Sequence, residues 1–128
     1  DRSSAASDVY KRQELLRQQD RRADAVKLYR ELAADVRSKE GSAAAYYVLE
    51  DTFEKGDMDK TEKAIFAYSE REPQAYWLAK AFILLGDVYV RKGDNFQARA
   101  TYQSVADGYS PADDGIVDEA KERIAKLN

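Results

Sequence analysis

Phe82-x2-Leu85-Gly86-x2-Tyr89, followed by Ala98-x3-Tyr102 and closed by Pro111, is the stretch whose reading decides the fold. Phe82, Leu85 and Tyr89 recur at three- and four-residue steps, which puts them on one face of a helix. Gly86 falls in mid-helix, where glycine costs about 1 kcal/mol relative to alanine. Its presence there predicts a neighbouring helix that passes too close for a side chain, and Ala98 carries the same message for the second helix. Gly93-Asp94 interrupts the pattern. Gly can take the positive φ that ends one helix, and Asp can cap the amides that start the next. Two antiparallel helices joined by a tight turn follow.

The same signs extend over the rest of the chain. With 44% hydrophobic and 35% charged residues, 128 residues suit one domain with a true core. Only 2 prolines and 6 glycines, most of them between apolar-periodic segments, leave room for long helices and little for strands. The predicted fold class is all-α.

Working back from the central stretch, Ser42 to Pro73 repeats its logic less faithfully. It runs Ala45-x2-Val48-Leu49-x2-Thr52, Gly56-Asp57, Thr61-x3-Ile65 and Pro73, with Leu49 standing for Gly and Thr61 for Ala. Extra residues at Gln74 to Leu78 lengthen the following helix by about one turn, and Trp77 lies in that extension as an expected anchor between units. Upstream, Ala25, Val26, Leu28, Tyr29, Leu32, Ala33 and Val36 trace a helical stripe from Arg22 to about Ser38, with Ala25-x3-Tyr29 echoing Ala98-x3-Tyr102. Ser42 is the expected cap of the next helix. Downstream, Ile116, Val117, Ala120, Ile124 and Leu127 form one apolar stripe opposite charged positions, an amphipathic last helix that would lie as a lid with its charged face outward.

These spacings resemble the tetratricopeptide repeat, a unit of roughly 34 residues. The resemblance covers Arg22 to Pro111, with a partial repeat at 14–39, a repeat at 42–73, a repeat at 74–111 and a capping helix at 114–127. It implies a right-handed α-α superhelix of antiparallel helix pairs whose first helices line a concave groove for a peptide or helix of a partner protein. Carried over position by position, the groove residues are Tyr46, Glu50, Phe53 and Glu54 in one unit and Lys80, Ile83, Asp87 and Arg91 in the next. The subfamily that clamps a chaperone C-terminus needs Lys and Asn where this chain has Tyr46, Glu50, Ile83 and Asp87, so that mode is not expected. The wording of Gln74 to Phe82 and of Asp114 to Lys121 further resembles the C-terminal end of large multi-repeat proteins of Bacteroidetes-type bacteria. That likeness implies a cell-envelope or periplasmic setting and a chain that begins inside a longer protein, with the end of the array near Asn128. Residues 1–13 fit the repeat register poorly. They read either as a non-native segment of the kind left by translated sequencing adapter or as a divergent, exposed capping helix.

Chemistry is sparse. A net charge of −3 with no clustered Lys and Arg argues against nucleic acid. The absence of Cys and His removes thiolate sites, the commonest metal ligand and the commonest general base. No apolar run approaches the roughly 18 residues that would read as a membrane span. Asp57 with Asp59, and Asp113 with Asp114, could be drawn as metal ligands or as acid and base, but both pairs fall at helix starts, where carboxylates cap amides. No catalysis and no cofactor are expected. Of the nine tyrosines, Tyr29, Tyr89 and Tyr102 occupy expected core positions. Tyr46 and Tyr47, about 100° apart on a helix, cannot both point into the groove. Two functions remain: a scaffold that grips a partner segment, or a structural cap that ends a longer array while binding happens upstream.

Overall fold

Three of the helix starts are set by short polar side chains. Ser38, Asp57 and Asp94 each accept a hydrogen bond from the backbone amide three residues on, at 2.9, 3.0 and 3.0 Å. Gly56 and Gly93, at φ 90° and 79°, sit just before the two aspartates in the left-handed region that glycine enters without a Cβ penalty. The computed structural model describes residues 2–127, which form α1 (Arg2–Leu32), α2 (Lys39–Glu54), α3 (Met58–Glu70), α4 (Ala75–Arg91), α5 (Asn95–Gly108) and α6 (Ile116–Ala125). Among the described residues there is no strand, and the chain is all-α.

The helices pack in a row. Each packs on the next in sequence, and α4 also meets α2 and α6, whereas α1 packs on α2 alone and meets neither α5 nor α6. Such nearest-neighbour packing is repeat-like, because each step of the row buries the apolar face of the last. The tightest step joins α4 to α5. Gly86 and Tyr102 lie equally far along the chain from the turn at Asp94, and the Tyr102 ring rests on the glycine. Ala98, Val88 and Ala81 are fully buried around this contact and Leu85 is nearly so. Deleting the Leu85 side chain removes a packed core group, which typically costs about 2 to 5 kcal/mol.

Three expectations change. The start of α2 is capped by Ser38, not Ser42. Ser42 is itself fully buried, its hydroxyl donating to the Val36 carbonyl at 2.5 Å and accepting from the Gln74 amide at 2.9 Å. The hydroxyl that looks like a cap is held by two loops instead. Second, the stripe expected to run helically to Ser38 breaks at Leu32. Val36 is buried from a turn, while Leu28 and Leu32 stay about half exposed because α1 has a neighbour on one side only. Third, Tyr29 is half-buried, not core, for the same reason, whereas Tyr89 and Tyr102 are buried as expected.

α1 runs without a break through the segment that fits the repeat register poorly. It contains no Gly or Pro to stop it, yet from residue 5 to 24 its side chains are exposed apart from a partly covered Glu14. At the other end, α6 buries Ile116, Val117 and Ala120 and leaves Asp118, Lys121 and Glu122 outside. Arg99 of α5 donates to the Leu127 carbonyl at 3.0 Å and fastens the residues after it.

Candidate functional site

The eight groove positions divide between two clefts and the wall beside them. Glu50 and Glu54 line a cleft of about 400 Å3 between α1 and α2, with Arg22, Tyr29, Tyr47 and Asp51. Phe53, Asp87 and Arg91 line a second, of about 370 Å3, which α4 shares with Arg123 and Lys126 near α6. Tyr46, Lys80 and Ile83 line neither. Ile83 is only 2% exposed and Tyr46 and Phe53 7% each, so these three supply wall and core more than open surface. The eight positions do not share one opening, and α6 lies over the face of α4 that carries Lys80 and Asp87.

Ion pairs show that placement. The Lys80 ammonium stands 3.6 Å from Glu119, and the Arg123 guanidinium donates to both Asp87 oxygens, at 3.0 and 3.4 Å. Asp87 also accepts the Tyr102 hydroxyl proton. Burial and then this bond to Asp87 push the Tyr102 phenol well above its ordinary range. The bond to Asp87 holds the Arg123 guanidinium above its own. Asp87 thus ties α4, α5 and α6 together and is already engaged.

An aromatic band crosses from α1 over α2 to α4. Tyr29 and Tyr47 have ring centroids 5.1 Å apart, Tyr47 and Trp77 5.6 Å, Tyr46 and Trp77 5.6 Å, and Tyr76 and Trp77 5.0 Å. Offset and edge contacts of this kind add about 0.5 to 1.5 kcal/mol per pair beyond area burial. Trp77 performs the between-unit packing expected of it, and of the adjacent tyrosines Tyr47 is the exposed one. Lys80 sits over the Tyr46 ring at 5.7 Å and Arg91 over Phe53 at 4.7 Å, within reach of a cation–π attraction. Burial first, and then the neighbouring Glu50 carboxylate, raise the Tyr46 phenol, whose hydroxyl donates to Glu50 at 3.3 Å.

Asp51 and Arg22, which sequence spacing passed over, shape the first cleft. Asp51 is buried on the α1 side of α2, with Arg22 Nε at 3.2 Å and Lys55 Nζ at 3.0 Å. Its i,i+4 relation to Lys55 was visible; its partner on α1 was not. One residue of each acidic pair holds a backbone amide at a helix start. Asp57 caps α3, Asp114 accepts from the Ile116 amide at 3.2 Å, and Asp59 pairs with Lys92 at 2.7 Å. That bond draws the Asp59 carboxyl below its ordinary range.

No group of three or more acidic side chains suited to a metal ion occurs among the described residues. No helix among them is long and apolar enough to cross a membrane. No family model, curated protein or solved structure matches the chain.

Proposed function

We propose that the chain is a protein-interaction scaffold of the tetratricopeptide kind, whose helix pairs form a superhelix and hold a segment of a partner protein along the inner faces of α1, α2 and α4. The observation that carries this reading is the cleft between α1 and α2. Half-exposed aromatic rings share one opening, the size of a side chain or two, with Glu50 and Glu54, which pair with no cation among the described residues. Interfaces draw most of their energy from a few such aromatic anchors, and charges set register and on-rate. The spacing of the central repeat and the row-like packing support the family; the cell-envelope setting rests on resemblance alone.

A library of random peptides displayed on phage and selected on the immobilised chain tests it. Enriched clones should lose binding to Glu54→Lys and keep it for Phe66→Lys, since Phe66 is an exposed residue of α3 outside both clefts. No enrichment over an unrelated helical protein, or equal loss with both variants, would overturn the reading.

One observation favours the second reading, that of a cap. α6 covers the α4 face that holds Lys80 and Asp87 and leaves Asp118, Lys121 and Glu122 outward, as the terminal helix of a stacked array must. Removal of α6 that left peptide selection intact while causing aggregation would favour this role.

A further inference from the structure

Inside the first cleft, Glu50 and Glu54 stand one helical turn apart on α2 and face the rings of Tyr29 and Tyr47. Neither carboxylate is ion-paired among the described residues, and Glu50 uses only one oxygen, which accepts the Tyr46 hydroxyl. Among the described residues, Arg22 alone brings a cation to the lining of this cleft, and Asp51 holds it. A third carboxylate of the same helix, Asp51, also lines the cleft and is already engaged. Asp51 is only 6% exposed, and its Oδ2 accepts no hydrogen bond. The Lys55 ammonium is 3.0 Å from that oxygen but off hydrogen-bond geometry, on a side chain 69% exposed to water. Arg22 and Lys55 balance that carboxylate, one at each oxygen, so Glu50 and Glu54 carry the unpaired charge of the cleft among the described residues.

The geometry points to a receptor for an arginine side chain of the partner segment, with the guanidinium held by Glu50 and Glu54 and stacked on the Tyr47 and Tyr29 rings. This inference rests on the scaffold reading above and names what its first cleft selects. A planar guanidinium matches the pattern because it can donate to two carboxylates at once while its face covers an aromatic ring. Both interactions strengthen where water is partly excluded. An acidic or phosphorylated segment is repelled by the same pair of carboxylates. A sugar could stack on the rings and donate hydroxyls to the carboxylates, but it brings no positive charge to balance theirs.

The test is a titration of N-acetyl-Gly-Arg-Gly-amide into the labelled chain, followed by nuclear magnetic resonance, against the isosteric citrulline peptide. Saturable shifts should appear at Tyr29, Tyr47, Glu50 and Glu54, and both the citrulline peptide and the Glu50→Gln, Glu54→Gln double variant should bind at least about tenfold more weakly. Both positions are at least partly solvent-exposed, so the variant keeps the fold. Shifts spread evenly over the surface, or affinity unmoved by the double variant, would overturn the proposal. The displayed-peptide selection separates its failure from that of the scaffold reading. Groove-binding clones without an excess of arginine would sink the arginine receptor alone, whereas no groove-binding clones together with a silent titration would sink both.

Discussion

The ring of Tyr102 occupies the space that a side chain at residue 86 would need. A Cβ built on Gly86 would lie 2.5 Å from Cδ1 and 2.7 Å from Cζ of that ring, so α4 and α5 approach as closely as they do only because residue 86 is glycine. In an isolated helix Gly86→Ala would gain about 1 kcal/mol. In this chain it should lose about 1 to 3 kcal/mol, the usual cost of overpacking. The sign should reverse in a Tyr102→Val background, where the ring atoms are gone. Urea midpoints of the four proteins, at constant slope, measure this. A loss of equal size in both backgrounds would mean that the ring is not what meets residue 86.

Asp87 joins three helices through Tyr102 and Arg123. Asp87→Ala strands a buried hydroxyl and a guanidinium together and should cost about 2 kcal/mol, against about 1 for Arg123→Met. Hydrogen exchange should show the loss of protection concentrated in α6. Uniform loss over all helices would show that the carboxylate does not dock that helix.

Ser42 links the loop before α2 to the start of α4 through Val36 and Gln74, and its own carbonyl accepts the Tyr68 hydroxyl at 2.7 Å. Ser42→Ala leaves a carbonyl and an amide without partners and should destabilise by about 1 to 3 kcal/mol. Ser38→Ala removes a helix cap and should cost about 1 kcal/mol. Calorimetry that ranked the two the other way would return the cap to Ser42.

Five of the nine tyrosines carry raised phenol pKa values. Tyr89 is pushed up to about 12 by burial and its bond to Glu62, and Tyr109 to about 12 by its bond to Asp114. The folded chain keeps these protons while unfolded tyrosines release theirs at the ordinary value of 10.0. Their contribution is therefore whole below about pH 10 and declines as pH rises from there through the folded values. Phenolate absorbance should lag behind nine independent groups and complete itself as helicity is lost. Full ionisation of all nine near pH 10 with the helices intact would contradict the burial of these rings.

Much of this was legible because local and tertiary demands agree. Gly86 and Ala98 announced a close approach, and Gly93-Asp94 a turn that the left-handed φ of Gly93 and the cap from Asp94 now account for. Legibility failed where a neighbour outbid a local preference. Ser38 and Ser42 have the same capping chemistry, and only the positions of Val36 and Gln74 decide between them. The resemblance puts Lys80 and Asp87 in the groove, but nothing in their own helix tells that α6 lies across them. The first part of α1 was read two ways for the opposite reason: from residue 5 to 24 it has no breaker and almost no covered side chain, so helix propensity carries it outward from α2.

A resonance footprint of a selected peptide tests the scaffold reading most directly. Bound to the labelled chain, such a peptide should shift and protect residues along the α1–α2 cleft and the aromatic band, Tyr29, Tyr47, Glu50, Glu54 and Trp77, while Phe66 of α3 and Phe96 of α5 stay silent. A footprint centred on Phe66 or Phe96 would contradict it.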